Sequence, residues 1–115
     1  MRMHAGREDF VIPDDGAVAQ AADSLRLLAD PTRIKLLWAL AQGESNVSCL
    51  AELAGTSQPA TSQHLAKLRL AGMVTARREG GFVYYELADP AIGRLLAQAL
   101  GLPRPRRLVR LPRGR

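Results

Sequence analysis

A polar stretch in the middle of the chain is rich in short side chains that donate and accept hydrogen bonds. It reads "TSQPATSQH", residues 56–64, and it opens a segment whose later leucines are spaced as in a helix. Glutamine can pair with adenine in two places, and serine or threonine can contact several base edges of DNA. Helix capping explains Ser57 but not the polar residues after it. The candidate base-contacting residues are Gln58, Thr61, Ser62 and Gln63.

Positive charge is concentrated on the same part of the chain. Residues 1–57 carry five basic and eight acidic residues, whereas residues 58–80 carry four basic residues and one acid. Lysine and arginine beside a base-reading segment are expected to contact phosphates, as on a polyanion-binding face. The phosphate candidates are Lys67, Arg77 and Arg78, while Arg69 is equally well explained as a solvated surface cation.

The C-terminal residues 104–115, "RPRRLVRLPRGR", account for the formal net charge of +5. They hold six of the sixteen basic residues and no acid, which leaves ten basic against eleven acidic residues in the rest of the chain. We expect residues 102–115 to form a disordered, arginine-rich tail. Such a tail could bind nucleic acid without sequence preference while the body does something else, so this alternative stays open.

Composition limits the class of protein. A chain of 115 residues has the size of one domain, and 47% hydrophobic but only 4% aromatic residues favour helices packed on helices. No apolar run is long enough to span a membrane, residues 1–10 lack the apolar stretch of a signal peptide, and one cysteine excludes an internal disulfide framework. We expect a soluble, cytoplasmic protein. An enzyme is not expected, because no Ser/His/Asp set, glycine-rich phosphate loop or metal-ligand cluster is present.

The spacing of apolar residues predicts five helices and one hairpin. The helices are expected at about 16–29, 31–42, 48–54, 57–71 and 90–100, with strands at 73–78 and 82–87 around the turn Gly80-Gly81. Residues 1–15 are expected to be a flexible arm, and residues 16–101 the folded domain. The fold class is mainly α with a small β-hairpin.

The order of these elements is that of a winged helix-turn-helix, α-α-α-α-β-β-α. The short third helix, a tight turn and the fourth helix form the helix-turn-helix, and the hairpin forms the wing. A DNA-reading helix places its N-terminal residues against base edges in the major groove, which suits the polar stretch at 58–63. The wing arginines would contact phosphates or a minor groove.

Three segments, "LADPTRIKLLWAL", "SQPATSQHLAKLRLAGMV" and "REGGFVYYELAD", resemble the ArsR/SmtB family of bacterial winged-helix repressors. The resemblance covers roughly residues 18–100, and the segments occur in the same order and spacing. It implies a homodimer whose first and last helices, about 16–29 and 90–100, form the interface. It also implies binding to an inverted-repeat operator on double-stranded DNA.

Many relatives release DNA when they bind a metal, but the family's ligands are mostly missing here. A C-x-C pair in the short helix would need cysteines where this chain has Cys49 and Ala51, and a lone cysteine in an apolar helix is more often buried core. A second family site on the last helix would begin at Asp89. Its other ligand positions are occupied by Ala91, Leu102 and Pro105, which cannot coordinate a metal.

A non-standard metal site remains as an alternative. His4 of the arm with Asp89 could form a weak nickel or zinc site if the arm folds over a dimer, whereas His64 is expected to pack or form a hydrogen bond within the fourth helix. Sensing could instead have moved to a second regulator protein. A winged-helix module that binds proteins rather than DNA is a further alternative.

Overall fold

The predicted order of five helices and a hairpin is confirmed. The computed structural model describes residues 6–106; within them the helices are α1 (Asp15–Leu28), α2 (Pro31–Gln42), α3 (Val47–Ala54), α4 (Gln58–Leu70) and α5 (Pro90–Leu100), and the strands are β1 (Val74–Glu79) and β2 (Phe82–Leu87). A single turn of 3-10 helix, Arg7–Asp9, precedes them in the predicted arm. In this part of the chain, no helix combines the length and apolarity that crossing a membrane requires.

Side-chain caps fix where the helices begin. The carboxylate of Asp30 accepts a hydrogen bond from the backbone N–H of Arg33 at 3.0 Å, and the hydroxyl of Ser57 accepts one from the N–H of Ala60 at 3.1 Å. Pro31 and Pro59 lie in the first turns of α2 and α4, where the missing N–H does no harm. α1 and α3 each begin one residue earlier than predicted, because Asp14 and Asn46 cap them. The start of α4, and with it the placement of the polar stretch on a first turn, is therefore set locally.

Leucines from all five helices, together with Ala54, Met73 and Val74, form one hydrophobic core. α2 lies at the centre, packed against α3, α5 and β2, while α4 packs against α3 and β1. The apolar side chains with almost no exposed surface are Leu36 and Leu37 of α2, Leu50 of α3, Leu65 and Leu68 of α4, and Val74 of β1. Leu65 and Leu68 fix the C-terminal half of α4 to the body of the domain. The N-terminal half of α4 is positioned by this packing.

The hairpin is antiparallel, with Arg77 opposite Tyr84 and Glu79 opposite Phe82. Gly80 and Gly81 turn the chain with φ of 58° and 85°, both positive, as a type I′ turn requires. An isolated bridge joins Ser45, between α2 and α3, to Tyr85 of β2. The hairpin is thus attached to the body near its base and projects at its turn.

α1 covers little of the body and leaves apolar side chains in solvent. Val18 and Leu25 are 49% and 55% exposed, and Leu28 is the one α1 residue that is buried within the described part of the chain. α5 likewise exposes Leu95 and Leu100. Both helices expected to form the dimer interface therefore leave apolar side chains uncovered in one copy of the chain.

The first residues of the predicted tail lie against the body. Pro105 is half-buried and packs over Gly93 of α5, where a β-carbon would come within 3.0 Å of Pro105 Cγ and 3.1 Å of Ala41 Cβ. α2, α5 and the segment 102–106 can approach this closely because residue 93 has no side chain. The rest of the predicted tail, residues 107–115, lies outside the described residues.

Candidate nucleic-acid interface

The front of α4 presents polar side chains to solvent. Gln58, Ser62 and Gln63 are all exposed, and within residues 6–106 their side chains make no hydrogen bond to the protein. The preceding turn is sharp because Gly55 ends α3 in the left-handed conformation with φ of 68°. The first turn of α4 contains no acid, so no negative charge repels an anion there. Pro59 has no N–H and Ala60 donates its own to Ser57, which leaves the N–H of Gln58 as the one in residues 58–60 without a partner in the described part of the chain. This surface can accept phosphate and base edges at the same time.

Thr61, predicted to contact bases, does not lie on this surface. The structure buries it completely, and its hydroxyl donates a hydrogen bond to the carbonyl oxygen of Ser57 at 2.8 Å. The helical repeat explains the error: residue 61 lies four positions before Leu65 and shares its inward face. The prediction for Thr61 was wrong, and its role is to pack the first turn of α4 onto the body.

His64 links α4 to the N-terminal part of the domain. Its Nδ1 accepts a hydrogen bond from Nε of Arg33 at 3.2 Å, and Arg33 also donates to the carbonyl oxygen of Leu27 at 3.1 Å. His64 thus forms a hydrogen bond, but to α2 rather than within α4 as the sequence predicted. The backbone N–H of Arg33, with help from the charge of its guanidinium, lowers the pKa of Asp30. One arginine thus connects the end of α1, the start of α2 and the recognition helix.

The cations predicted to contact phosphate differ in whether their charged groups already bind other side chains of the protein. Lys67 is exposed in the last turns of α4, and Arg78 is exposed on β1. Arg77 is half-buried and donates hydrogen bonds to Glu79 and, at 2.6 Å, to Glu44. These bonds raise the pKa of Arg77. Lys67 and Arg78 can therefore contact phosphate directly, whereas Arg77 is already paired with carboxylates.

The residues named for metal binding are not brought together. Asp89 caps α5 by accepting a hydrogen bond from the N–H of Ala91 at 2.9 Å, and His4 lies outside the described residues. Cys49 was expected to be buried but is exposed, because it lies one residue before the inward-facing Leu50 on α3. Among residues 6–106 no three His, Cys, Asp or Glu side chains are grouped so as to bind a metal ion.

Sequence reasoning missed two residues that position this surface. Arg33 reaches His64 across 31 positions, and Glu44 reaches Arg77 across 33. Neither spacing repeats within one helix or strand, so no local periodicity could reveal the contacts. The available signals were weak: an arginine just after a helix-starting proline, and a lone acid in a loop.

A helix-turn-helix with an exposed polar recognition helix and an attached hairpin defines the class of DNA-binding winged-helix regulators. Within that class, the model of the bacterial regulatory proteins of the arsR family matches residues 30–76. The HTH-type transcriptional regulator KmtR of Mycobacterium tuberculosis is 39% identical over 113 residues, which cover 91% of this chain and 86% of that protein. The chain belongs to the arsR family, as the resemblance predicted.

Two further similarities bear on assembly and response. The homodimeric winged helix-turn-helix DNA-binding domain of Mb0332 from Mycobacterium bovis superposes with a TM-score of 0.67 at 32% identity, covering 88% of each chain. The probable mercury resistance operon repressor of Streptomyces lividans is 45% identical over 74 residues, which cover 64% of this chain and 59% of that protein.

Proposed function

We propose that this protein is a transcriptional repressor that binds an inverted-repeat operator as a homodimer in the cytoplasm. The observation that carries the proposal is the outer face of α4, where Gln58, Ser62 and Gln63 are exposed and unused by the protein in its described part. A module that bound only proteins would be expected to expose an apolar patch there. Hydrogen-bonding side chains at a helix N-terminus suit base edges and phosphate instead.

The uncovered stripes on α1 and α5 support the dimer. Val18 and Leu25 of α1 and Leu95 and Leu100 of α5 expose apolar surface that a second copy would bury. The related Mb0332 domain is homodimeric. A twofold dimer presents two α4 helices, so its operator would have two matching half-sites about one helical turn apart.

Base reading is assigned to Gln58, Ser62 and Gln63, and phosphate contact to Lys67 and Arg78. We expect Ser62→Ala or Gln63→Ala to weaken binding to operator DNA by about 1–3 kcal/mol and to relax sequence preference at one position. Gln20→Ala, a matched change on exposed α1, should leave binding unchanged. Genome-wide mapping of bound sites, followed by titration of the recovered operator, measures both.

The arginine-rich C-terminus offers a rival explanation of DNA binding. If deleting residues 104–115 abolished binding while Ser62→Ala and Gln63→Ala had no effect, non-specific attraction by the tail would replace the α4 proposal. Tail binding should also show no preference between the operator and a scrambled duplex of equal length.

A metal response is a second candidate, favoured by the similarity to a mercury resistance operon repressor. The residues available for it are His4 and Asp89, with nickel or zinc as the ligand class. Calorimetry with nickel, zinc and cobalt on the wild type, His4→Ala and Asp89→Ala tests it. Submicromolar binding that is lost in both variants and alters operator affinity would establish this site. Neither the structure nor the comparisons favour transfer of sensing to a second regulator protein.

A further inference from the structure

We infer that Arg77 is a positioning residue that fixes the wing to the α2–α3 junction, and that Arg78 is the wing cation left to contact DNA. The inference rests on the proposed function for its DNA readouts, but its geometry does not. We call the group formed by Arg77, Glu44, Glu79 and Tyr84 the wing clamp.

The wing clamp engages the Arg77 guanidinium on several sides. One nitrogen lies 2.6 Å from Oε1 of Glu44, the other terminal nitrogen binds Glu79, and the guanidinium carbon lies 5.2 Å from the ring centre of Tyr84. The Glu44 side chain is only 9% exposed. A carboxylate so far from solvent needs a partner, so Glu44 favours the conformation in which Arg77 points back to the body.

The backbone joins the same two parts of the molecule. The N–H of Ser45 donates to the carbonyl oxygen of Tyr85 at 3.0 Å, and the N–H of Tyr85 donates to the carbonyl oxygen of Ser45 at 2.8 Å. Ser45 follows Glu44 in the chain, and Tyr85 follows Tyr84 on β2. The wing clamp therefore reinforces a two-bond bridge on the next residue pair, and together they restrict the angle between hairpin and body.

Arg78 differs from Arg77 in direction and in charge environment. Successive residues of a strand point to opposite faces, so Arg78 lies on the other face of β1 from the wing clamp. It is exposed, and in residues 6–106 it forms no ion pair or hydrogen bond. A guanidinium already facing two carboxylates releases few counterions when it meets a phosphate, whereas an unpaired one contributes fully.

The salt dependence of operator binding separates the two roles. A dimer carries two wings, so we expect Arg78→Gln to reduce the slope of log K against log salt by about two units, one for each protomer. Arg77→Gln should weaken binding by about tenfold, the size of an ordinary interface contact, and leave the slope unchanged. Arg77→Lys keeps the charge but not the fork that reaches two carboxylates, so it should weaken binding to a similar extent. A slope reduced by about two units in Arg77→Gln and restored in Arg77→Lys would overturn the inference.

The sign of the Glu44→Gln effect is a second test. Removing an acid near a DNA-binding surface should by itself strengthen binding, and Glu52→Gln on exposed α3 provides that matched control. If Glu44 positions the wing through Arg77, Glu44→Gln weakens binding by about as much as Arg77→Gln. If Glu44→Gln instead strengthened DNA binding as Glu52→Gln does, the positioning role of the wing clamp would be contradicted.

Hydrogen exchange tests the wing clamp without DNA. The amides of Ser45 and Tyr85 should exchange at least about tenfold faster in Arg77→Gln and in Glu44→Gln than in the wild type. The double variant should exchange no faster than either single variant, because both changes break the same contact. Arg78→Gln should leave the two exchange rates unchanged. If the wild-type protein bound no duplex, the proposed function would be wrong, but the exchange rates would still test the wing clamp. Unchanged exchange in both single variants would end the inference alone.

Discussion

The recognition helix and the wing support their DNA-facing side chains in opposite ways. On α4 the supporting residues are apolar and inward, Leu65 and Leu68, and the outward side chains Ser62 and Gln63 have no partner within residues 6–106. On the wing the support is itself charged, since Arg77 is bound by Glu44 and Glu79. The type of a residue therefore does not determine whether its side chain can contact DNA. The neighbouring side chains determine it, because they can already bind the same polar group.

The difference follows from how much core each region contributes. α4 buries two leucines and a threonine completely, so its position does not depend on surface charges. In the hairpin only Val74 is buried to that extent, and the turn lies beyond the body. A two-stranded hairpin is marginal by itself, which is why ion pairs and a backbone bridge matter more there.

The largest expected effect comes from removing the support under α4. Leu68 is fully buried, so Leu68→Ala should lower the free energy of unfolding by about 2–5 kcal/mol. Leu70, two residues on, is 90% exposed, and Leu70→Ala should change it by less than about 0.5 kcal/mol. Urea denaturation of the two variants measures the contrast, and equal losses would contradict the assignment of inward and outward faces on α4.

The hairpin turn gives the next largest effect. Gly81 has φ of 85°, so Gly81→Ala should weaken the hairpin by about 1–2 kcal/mol, the cost of a β-carbon in the left-handed region. Gly80→Asn should be tolerated, because Asn-Gly is a preferred type I′ pair. Exchange rates of the β1 and β2 amides report the loss, which should leave the amides in α4 unaffected. Equal acceleration in both helices and strands would mean that the two regions unfold as one unit.

Sequence periodicity predicted nearly all of the local structure for physical reasons. Ser57 with Pro59, Asp30 with Pro31, and the Gly80-Gly81 pair each determine a boundary through one short-range interaction, and their elements appear where expected. Thr61 was misassigned because its type suits both an inward hydrogen bond and an outward base contact. Only the phase of the helix relative to Leu65 decides between them.

Long-range side-chain partners could not be predicted in this way. The sequence shows that Arg77 and Arg78 are adjacent cations, but it does not show that Glu44 lies against one of them. The same holds for Arg33 and His64, which meet only after α2 and α4 have packed. Placing such pairs requires the tertiary arrangement, because their separation along the chain has no helical or strand period.

A smaller effect separates Thr61 from its neighbour. Thr61→Val keeps the shape but removes the hydrogen bond to Ser57, so we expect a loss of about 1 kcal/mol in stability and no change in base preference. Ser62→Ala should change base preference and leave stability nearly unchanged, because Ser62 is exposed. Measuring unfolding and operator selectivity on both variants provides the comparison. A change of base preference in Thr61→Val would return Thr61 to the reading surface.

The smallest effect concerns the charge that caps α2 beside the Arg33–His64 contact. Because the pKa of Asp30 is lowered in the folded protein, its charge stabilises the fold above the pKa of the unfolded chain, and this contribution is lost as the pH falls through the folded pKa. Asn at this position keeps a capping oxygen without the charge, so Asp30→Asn should cost about 0.3–1 kcal/mol at pH 7 and progressively less as the pH falls through the folded pKa of Asp30. Asp23→Asn removes an equal charge from exposed α1 and serves as the control in thermal unfolding across that pH range. A deficit in Asp30→Asn that does not shrink as the pH falls would show that hydrogen-bond geometry, rather than charge, stabilises the junction supporting α4.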